Sequence, residues 1–266
     1  MVHVGTAGQP PGSRGPVDAL RRLEAAGLDA MEVQFVRQVS MPLDRARETG
    51  EEAARLGIRL SAHAPYYINF NSDKEGVRQR SVAWAFETLR RTDAMGAAVA
   101  VVHAASYGNR PEDATAAVVD GLGEVRSLMD EAGVEALIGL ETMGKKGSWG
   151  TMDEISAVCG RVEGTVPVLD FAHLHARSGG ALRSEDDFLS LIEASRDISG
   201  RDPHCHCSGV EYGEKGERRH LPLESQEPDY RLLASLSREL GDDAVLIVES
   251  PRPLDDAIML KGAMGM

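Results

Sequence analysis

Residue types that ligate divalent cations recur at the ends of short apolar runs in this chain. His63, His103, Glu141 and Asp170 each close such a run, His173 follows Asp170 by three, His206 lies within a run, and Glu249 ends the last one. His220 falls in the segment after the His206 run. Neutral imidazoles and carboxylates are the usual donors to zinc and to other first-row or alkaline-earth ions. Crowded together without a cation, such groups repel one another and lose their hydration, so a cluster of them implies metal. A single histidine at a strand end is ordinarily a hydrogen-bonded structural residue. Five of the eight, together with three carboxylates at equivalent positions, do not behave as independent accidents. His3 and His204 stand at or near run starts and His175 alternates with His173, so these three read as structural or supporting. Cys205 and Cys207 flank His206 and, at a period of two, face away from it into the barrel wall.

The elements that must position these residues follow from the pattern of the chain. Apolar, β-branched runs alternate with stretches of helical periodicity, as repeated βα units do. Strands are expected at Val2–Gly5, Ala30–Phe35, Ile58–His63, Ala98–His103, Ala136–Glu141, Val166–Asp170, Pro203–Cys207 and Ala244–Glu249. Helices are expected at Val17–Ala26, Pro42–Leu56, Val77–Met95, Glu112–Ala132, Met152–Cys159, Ser184–Ser195, Asp229–Leu240 and Leu254–Leu260. Eight pairs in 266 residues, with 42% apolar content, suit one (β/α)₈ TIM barrel domain spanning residues 1–266. An open doubly wound sheet is the lesser alternative. In a closed barrel the carboxyl ends of all strands share one face, so residues from six strands would meet in one pocket.

The formal charge of −13 argues against a protein that coats nucleic acid with surplus lysine and arginine. It does not exclude DNA as a substrate, because bound cations reverse the local potential of an acidic site. Three cysteines without paired spacing, no leader-like start and no long apolar run predict a cytoplasmic protein with no membrane contact, a monomer by default.

Several strings in chain order resemble the endonuclease IV family of apurinic/apyrimidinic endonucleases. They are Ser61 to Phe70 (SAHAPYYINF), Leu140 to Ser148 (LETMGKKGS), Leu169 to His173 (LDFAH), His206 to Ser208 (HCS) and Val248 to Pro251 (VESP). The resemblance implies two or three zinc ions, with manganese the alternative metal. His63, His103 and Glu141 would hold the first. Glu141 would bridge to a second, bound also by Asp170, His206 and Glu249, and His173 and His220 would hold the third. Where the family has Asp-x-His this chain has Arg218-Arg219-His220, with Glu217 one residue off.

The implied reaction is hydrolysis of damaged double-stranded DNA on the 5′ side of an abasic site, in base excision repair. Paired divalent ions acidify water and offset charge on phosphoryl oxygens; Glu141 and Glu249 are the catalytic carboxylates. The enzyme would draw a sugar out of the duplex. Tyr66 and Tyr67 are candidates to wedge into the stack, Arg37 and Gln38 sit where the family inserts an arginine, and Lys145, Lys146, Arg218 and Arg219 are candidates for phosphate contacts. The competing enzyme reading is a sugar isomerase or epimerase resembling xylose isomerase, which needs one ion and only Glu141, Asp170, His206 and Glu249. A non-catalytic binding protein on the same fold is the third.

Overall fold

A computed structural model describes residues 1–266. Eight parallel strands close into a barrel: β1 (His3–Ala7), β2 (Ala30–Gln34), β3 (Arg59–His63), β4 (Val99–Val102), β5 (Leu137–Glu141), β6 (Thr165–Asp170), β7 (His204–Cys207) and, after a hairpin of β8 (Gly209–Gly213) and β9 (Gly216–Leu221), β10 (Val245–Val248). Barrel neighbours follow chain order and β1 pairs with β10, so the closed alternative holds and the open sheet does not. Helices α1 (Pro16–Ala25), α2 (Leu43–Leu56), α3 (Glu75–Ala94), α4 (Ala114–Ala132), α5 (Met152–Cys159), α7 (Glu185–Ser199), α8 (Tyr230–Ser235) and α9 (Pro253–Ala263) return the chain from strand to strand. No helix is long and apolar enough to cross a membrane.

Two elements were not expected from periodicity. The β8–β9 hairpin rises between β7 and α8, and a short helix, α6 (Phe171–Arg177), starts directly at the end of β6. Asp170 is its N-cap, accepting the His173 backbone N–H at 2.7 Å. Its seven residues are too few for an amphipathic period to declare itself.

The barrel interior is divided. Val99, Val101, Val166 and Val168, with Leu137, form an apolar cluster against β4, β5 and β6. On the opposite side β2, β3 and β7 contribute Glu32, Ser61, His204 and His206, all buried. Strand alternation sends Cys205 and Cys207 the other way, into the layer between barrel and helices, as expected of residues flanking His206. Burial pushes both thiols up.

The outer layer also holds the loop that carries Tyr66 and Tyr67. Helix α4 buries Ala114, Val118, Leu122, Val125 and Met129, an apolar stripe three and four apart. Between them Gly121 lies under the buried ring of Phe70, and a Cβ there would meet Phe70 Cδ1 at 2.4 Å. Gly121→Ala should raise intrinsic helix stability by about 1 kcal/mol but overpack the core at a cost of about 1–3 kcal/mol. Because Phe70 is itself fully buried, the net expectation is a lower urea midpoint with unchanged slope; an unchanged or raised midpoint would mean the loop after β3 yields freely.

Candidate metal centre

The carboxyl end of the barrel gathers the sequence-predicted ligand residues into one site. His63 ends β3, Glu141 ends β5 and Asp170 ends β6; His103 and Glu249 stand one residue beyond β4 and β10, and His206 lies within β7. Glu141 is at the centre. One carboxylate oxygen, Oε2, lies 3.1 Å from His63 Nε2 and 2.6 Å from His103 Nε2.

Its other oxygen, Oε1, has no hydrogen-bond partner although fully buried, and the same is true of Asp170 Oδ2 and His206 Nδ1. These three atoms face one another: His206 Nδ1 is 3.4 Å from Glu141 Oε1, 4.0 Å from Asp170 Oδ2 and 3.7 Å from Glu249 Oε2. Leaving a buried polar group unpaired costs about 1–3 kcal/mol, so three together mark a place shaped for something else. Four donors from Glu141, Asp170, His206 and Glu249 within 4.8 Å of one another fit a divalent ion.

A third convergence lies toward the hairpin. His173 Nδ1 sits 2.9 Å from the Thr142 carbonyl and His220 Nδ1 3.0 Å from the Glu249 carbonyl. A carbonyl only accepts, so these nitrogens carry the protons, and the two Nε2 atoms, 3.3 Å apart, present lone pairs to each other. Two imidazoles held this way need either a proton shared between the two Nε2 atoms or a bound cation. Glu217 supplies a carboxylate, with Oε2 3.4 Å from His173 Nε2 and Oε1 3.8 Å from His220 Nε2.

Glu217 reaches this place because β9 is irregular. Residues three apart on a regular strand face opposite sides. Here Glu211 pairs with Arg219 and Tyr212 with Glu217, so Arg218 is an extra residue that flips the register and returns Glu217 to the side of His220. The departure from Asp-x-His is thus absorbed by the backbone. Gly144 is also required here: its Cβ would stand 2.7 Å from Glu217 Cβ and 2.9 Å from His173 Cδ2.

Burial and mutual attraction set the protonation of the cluster. Burial alone would depress the His63 and His173 imidazoles. Neighbouring carboxylates outweigh it, Glu141, Glu32 and Glu249 around the first and Asp170, Glu141 and Glu217 around the second, raising them to about 9 and about 10. His206 is likewise raised, against burial, chiefly by Glu32, Glu249 and Glu141. Conversely Glu141, which burial would raise, is held well below the usual carboxylate range by His103 and His206. In the metal-free chain, protons on imidazoles do the compensating that a bound cation would do.

A cleft of about 900 Å³ opens onto this cluster. Tyr66, Tyr67 and Lys145 line it, as do Glu217, His220 and Glu249. The Tyr66 ring leans over His63 and His103, with centroids 5.0 and 5.3 Å away, while Tyr67 is 62% exposed. Arg37, Gln38 and Lys146 are exposed on neighbouring loops but do not line the cleft. Arg218 and Arg219 are not brought to it either; both pair with Glu211 across the hairpin, at 3.3 and 2.8 Å. Arg177, passed over in the sequence, holds the rim by donating to the carbonyls of Lys145 and Ser148 at 2.7 and 2.9 Å.

Glu32 and Gln34 were also missed. Glu32 is fully buried and lies 3.0 Å from His204 Nε2 and 3.1 Å from His206 Nε2. A charged residue in the middle of Ala30-Met31-Glu32-Val33 was the available signal, since a carboxylate inside an apolar strand demands partners. His204, read as structural or supporting, is the partner.

A family model described as xylose isomerase-like TIM barrel matches residues 20–262. An uncharacterized protein of Methanocaldococcus jannaschii is 31% identical over 98% of this chain and 96% of its own length. A probable endonuclease 4 of Mycobacterium tuberculosis is 26% identical over 94% of this chain and 96% of its own. Among solved structures, a D-tagatose 3-epimerase-like protein superposes with a TM-score of 0.74 over 98% of this chain and 96% of that one, at 18% identity, a likeness of fold. With the match running through all but the first strand and the chain terminus, the chain belongs to the xylose isomerase-like TIM barrel family.

Proposed function

We propose that this protein is a metal-dependent phosphodiesterase that hydrolyses DNA on the 5′ side of abasic sites, with zinc held in two or three adjoining positions. The observation that carries this reading is that, beside the four-donor group with its three unpartnered atoms, two further donor sets, His63–His103–Glu141 and Asp170–His173–His220, converge at the mouth of the barrel, where a one-ion site needs one. His63, His103 and Glu141 would hold the first ion; Glu141, Asp170, His206 and Glu249 the second; His173, His220 and Glu217 the third. Ions bound there would acidify water at neutral pH and neutralise charge developing on phosphoryl oxygens. The relatives named endonuclease 4 support the same substrate class.

The chain's own residues divide the remaining work. Glu141 is shared between two groups and fixes their separation. Glu249, held at Oε1 by Gln34 at 3.2 Å, reaches the cleft, where its other oxygen would complete the second group and help orient an attacking water. Tyr67 is the exposed ring suited to enter a base stack, and Lys145 the cation beside the cleft suited to a phosphate. No covalent intermediate on a side chain is required.

The second reading, a single-metal sugar isomerase or epimerase, rests on the Glu141, Asp170, His206 and Glu249 group taken alone and on the epimerase-like fold neighbour. It leaves the His63–His103 and His173–His220–Glu217 groups without employment.

Elemental analysis should find two or three zinc per chain, and the zinc-loaded protein should nick a duplex bearing one tetrahydrofuran abasic analogue while sparing intact duplex. One ion per chain with ketose epimerisation and no nicking would replace this reading with the second. Glu141→Gln should weaken zinc binding by at least about 10–100-fold and abolish nicking with the circular dichroism spectrum retained; full turnover would move the chemistry elsewhere. Gly144→Ala should cost one zinc of the set by displacing Glu217 and His173, and unchanged zinc content would show the third group to be structural. Tyr67→Ala should weaken binding to abasic duplex with zinc content unaltered.

A further inference from the structure

Four imidazoles of the centre have their orientation set by a hydrogen bond from the ring nitrogen that faces away from it, and one differs in kind. His63, His173 and His220 each donate Nδ1–H to a backbone carbonyl, those of Ala64 (2.8 Å), Thr142 (2.9 Å) and Glu249 (3.0 Å). His206 is reversed. Its Nε2 meets the Glu32 carboxylate, 3.1 Å from Oε1 and 3.2 Å from Oε2, and its Nδ1 points into the group formed by Glu141, Asp170 and Glu249.

Glu32, His204 and His206 lie close enough to hold an ion of their own, but the inventory of partners argues otherwise. Glu32 is saturated: besides His206 it accepts from His204 Nε2 at 3.0 Å, Ser61 Oγ at 2.8 Å and Gln34 Nε2 at 3.1 Å. Within the centre, the atoms left without a partner are on Glu141, Asp170 and His206 and none is on Glu32. A carboxylate that has used its lone pairs on N–H and O–H donors orients its neighbours and does not ligate. Gln34 extends the arrangement. Its amide nitrogen also reaches Glu249 Oε1 at 3.2 Å, and its carbonyl accepts from the Tyr66 hydroxyl at 3.2 Å.

We propose that Glu32 and Gln34 are positioning residues for the metal centre: Glu32 locks His206 in the Nε2-protonated tautomer with Nδ1 free as ligand, and Gln34 ties that anchor to Glu249 and to Tyr66 at the cleft. This rests on the metal reading given under Proposed function. Glu32 touches neither substrate nor ion; it acts through His206. A carboxylate, unlike a carbonyl, also makes the opposite nitrogen a stronger donor.

The test uses the full chain, zinc alone as probe, and two readouts besides activity. In chelator competition, Glu32→Gln should bind its tightest zinc about 10–100-fold more weakly than the parent, because the charge that strengthens the bond to His206 is lost and one of the donors now meeting a carboxylate oxygen, from His204, His206, Ser61 or Gln34, would face an amide N–H instead. In ¹⁵N–¹H correlation spectra of the zinc-loaded protein, the parent should show His206 protonated at Nε2 alone, and Glu32→Gln should lose that signature. Gln34→Leu, at a half-buried position, should weaken zinc less and keep the His206 signature; it also stands in if Glu32→Gln does not fold. Parent-like zinc affinity and an unchanged ring spectrum in Glu32→Gln, or parent-like affinity in Gln34→Leu when that variant must stand alone, would overturn the proposal. A parent chain that takes up no zinc would instead overturn the metal reading itself.

Discussion

The structure is organised around carboxylates and imidazole lone pairs that face one another in a buried space. Glu32, Glu141 and Asp170 are fully or almost fully buried, and Glu217 and Glu249 are largely covered. Transferring an ion from water to such an interior costs several kcal/mol even after relaxation. Only compensation makes the arrangement tenable, and backbone carbonyls have already turned three imidazoles so that their bare nitrogens look inward. Protons drawn to His63, His173 and His206 meet the requirement in the metal-free chain, and bound divalent ions would meet it in their place.

The scaffold is rigid where this constraint is felt. Valines from β4 and β6, with Leu137 of β5, fill one side of the barrel, so the polar side cannot relax by shifting across the interior. Asp170 serves twice, capping α6 with Oδ1 while Oδ2 remains available to the centre. On the rim, Arg177 pins the loop after β5 by its carbonyls, and backbone bonds from Lys146 to Lys215 and from Glu217 to Gly144 stitch that loop to the hairpin. The hairpin is therefore part of the site and not an ornament on it. Its one bulge decides that Glu217, and neither arginine that follows it, faces His173.

Membership of the xylose isomerase-like TIM barrel family fixes the fold and leaves the chemistry to the mouth of the barrel, where relatives and fold neighbours carry names as different as endonuclease and epimerase. The two proposed readings both use the four-donor group. What favours the first of them is the additional pair of donor sets on either side of it, together with an exposed tyrosine and a lysine at the cleft.

The eight βα repeats and the placement of His63, His103, Glu141, Asp170 and Glu249 at strand ends were legible in the sequence, because apolar runs and helical stripes are local periodicities that the chain writes directly. So was the outward turn of Cys205 and Cys207, which follows from alternation alone. Helix α6 and the hairpin were not: one is too short to show a period and the other is dominated by Gly and charge. Nor was the role of Glu32, a lone acid whose partners His204, His206 and Ser61 come from other strands. That Arg218 and Arg219 pair with Glu211, and that a single bulge brings Glu217 inward, could not be read from charge and loop position. Sequence by itself determined which residues are available at the mouth of a barrel. Which way each ring and carboxylate points, and therefore which atoms are left without partners, was decided only by tertiary packing, because tautomer, register and hydrogen-bond saturation depend on neighbours that the chain supplies from far away.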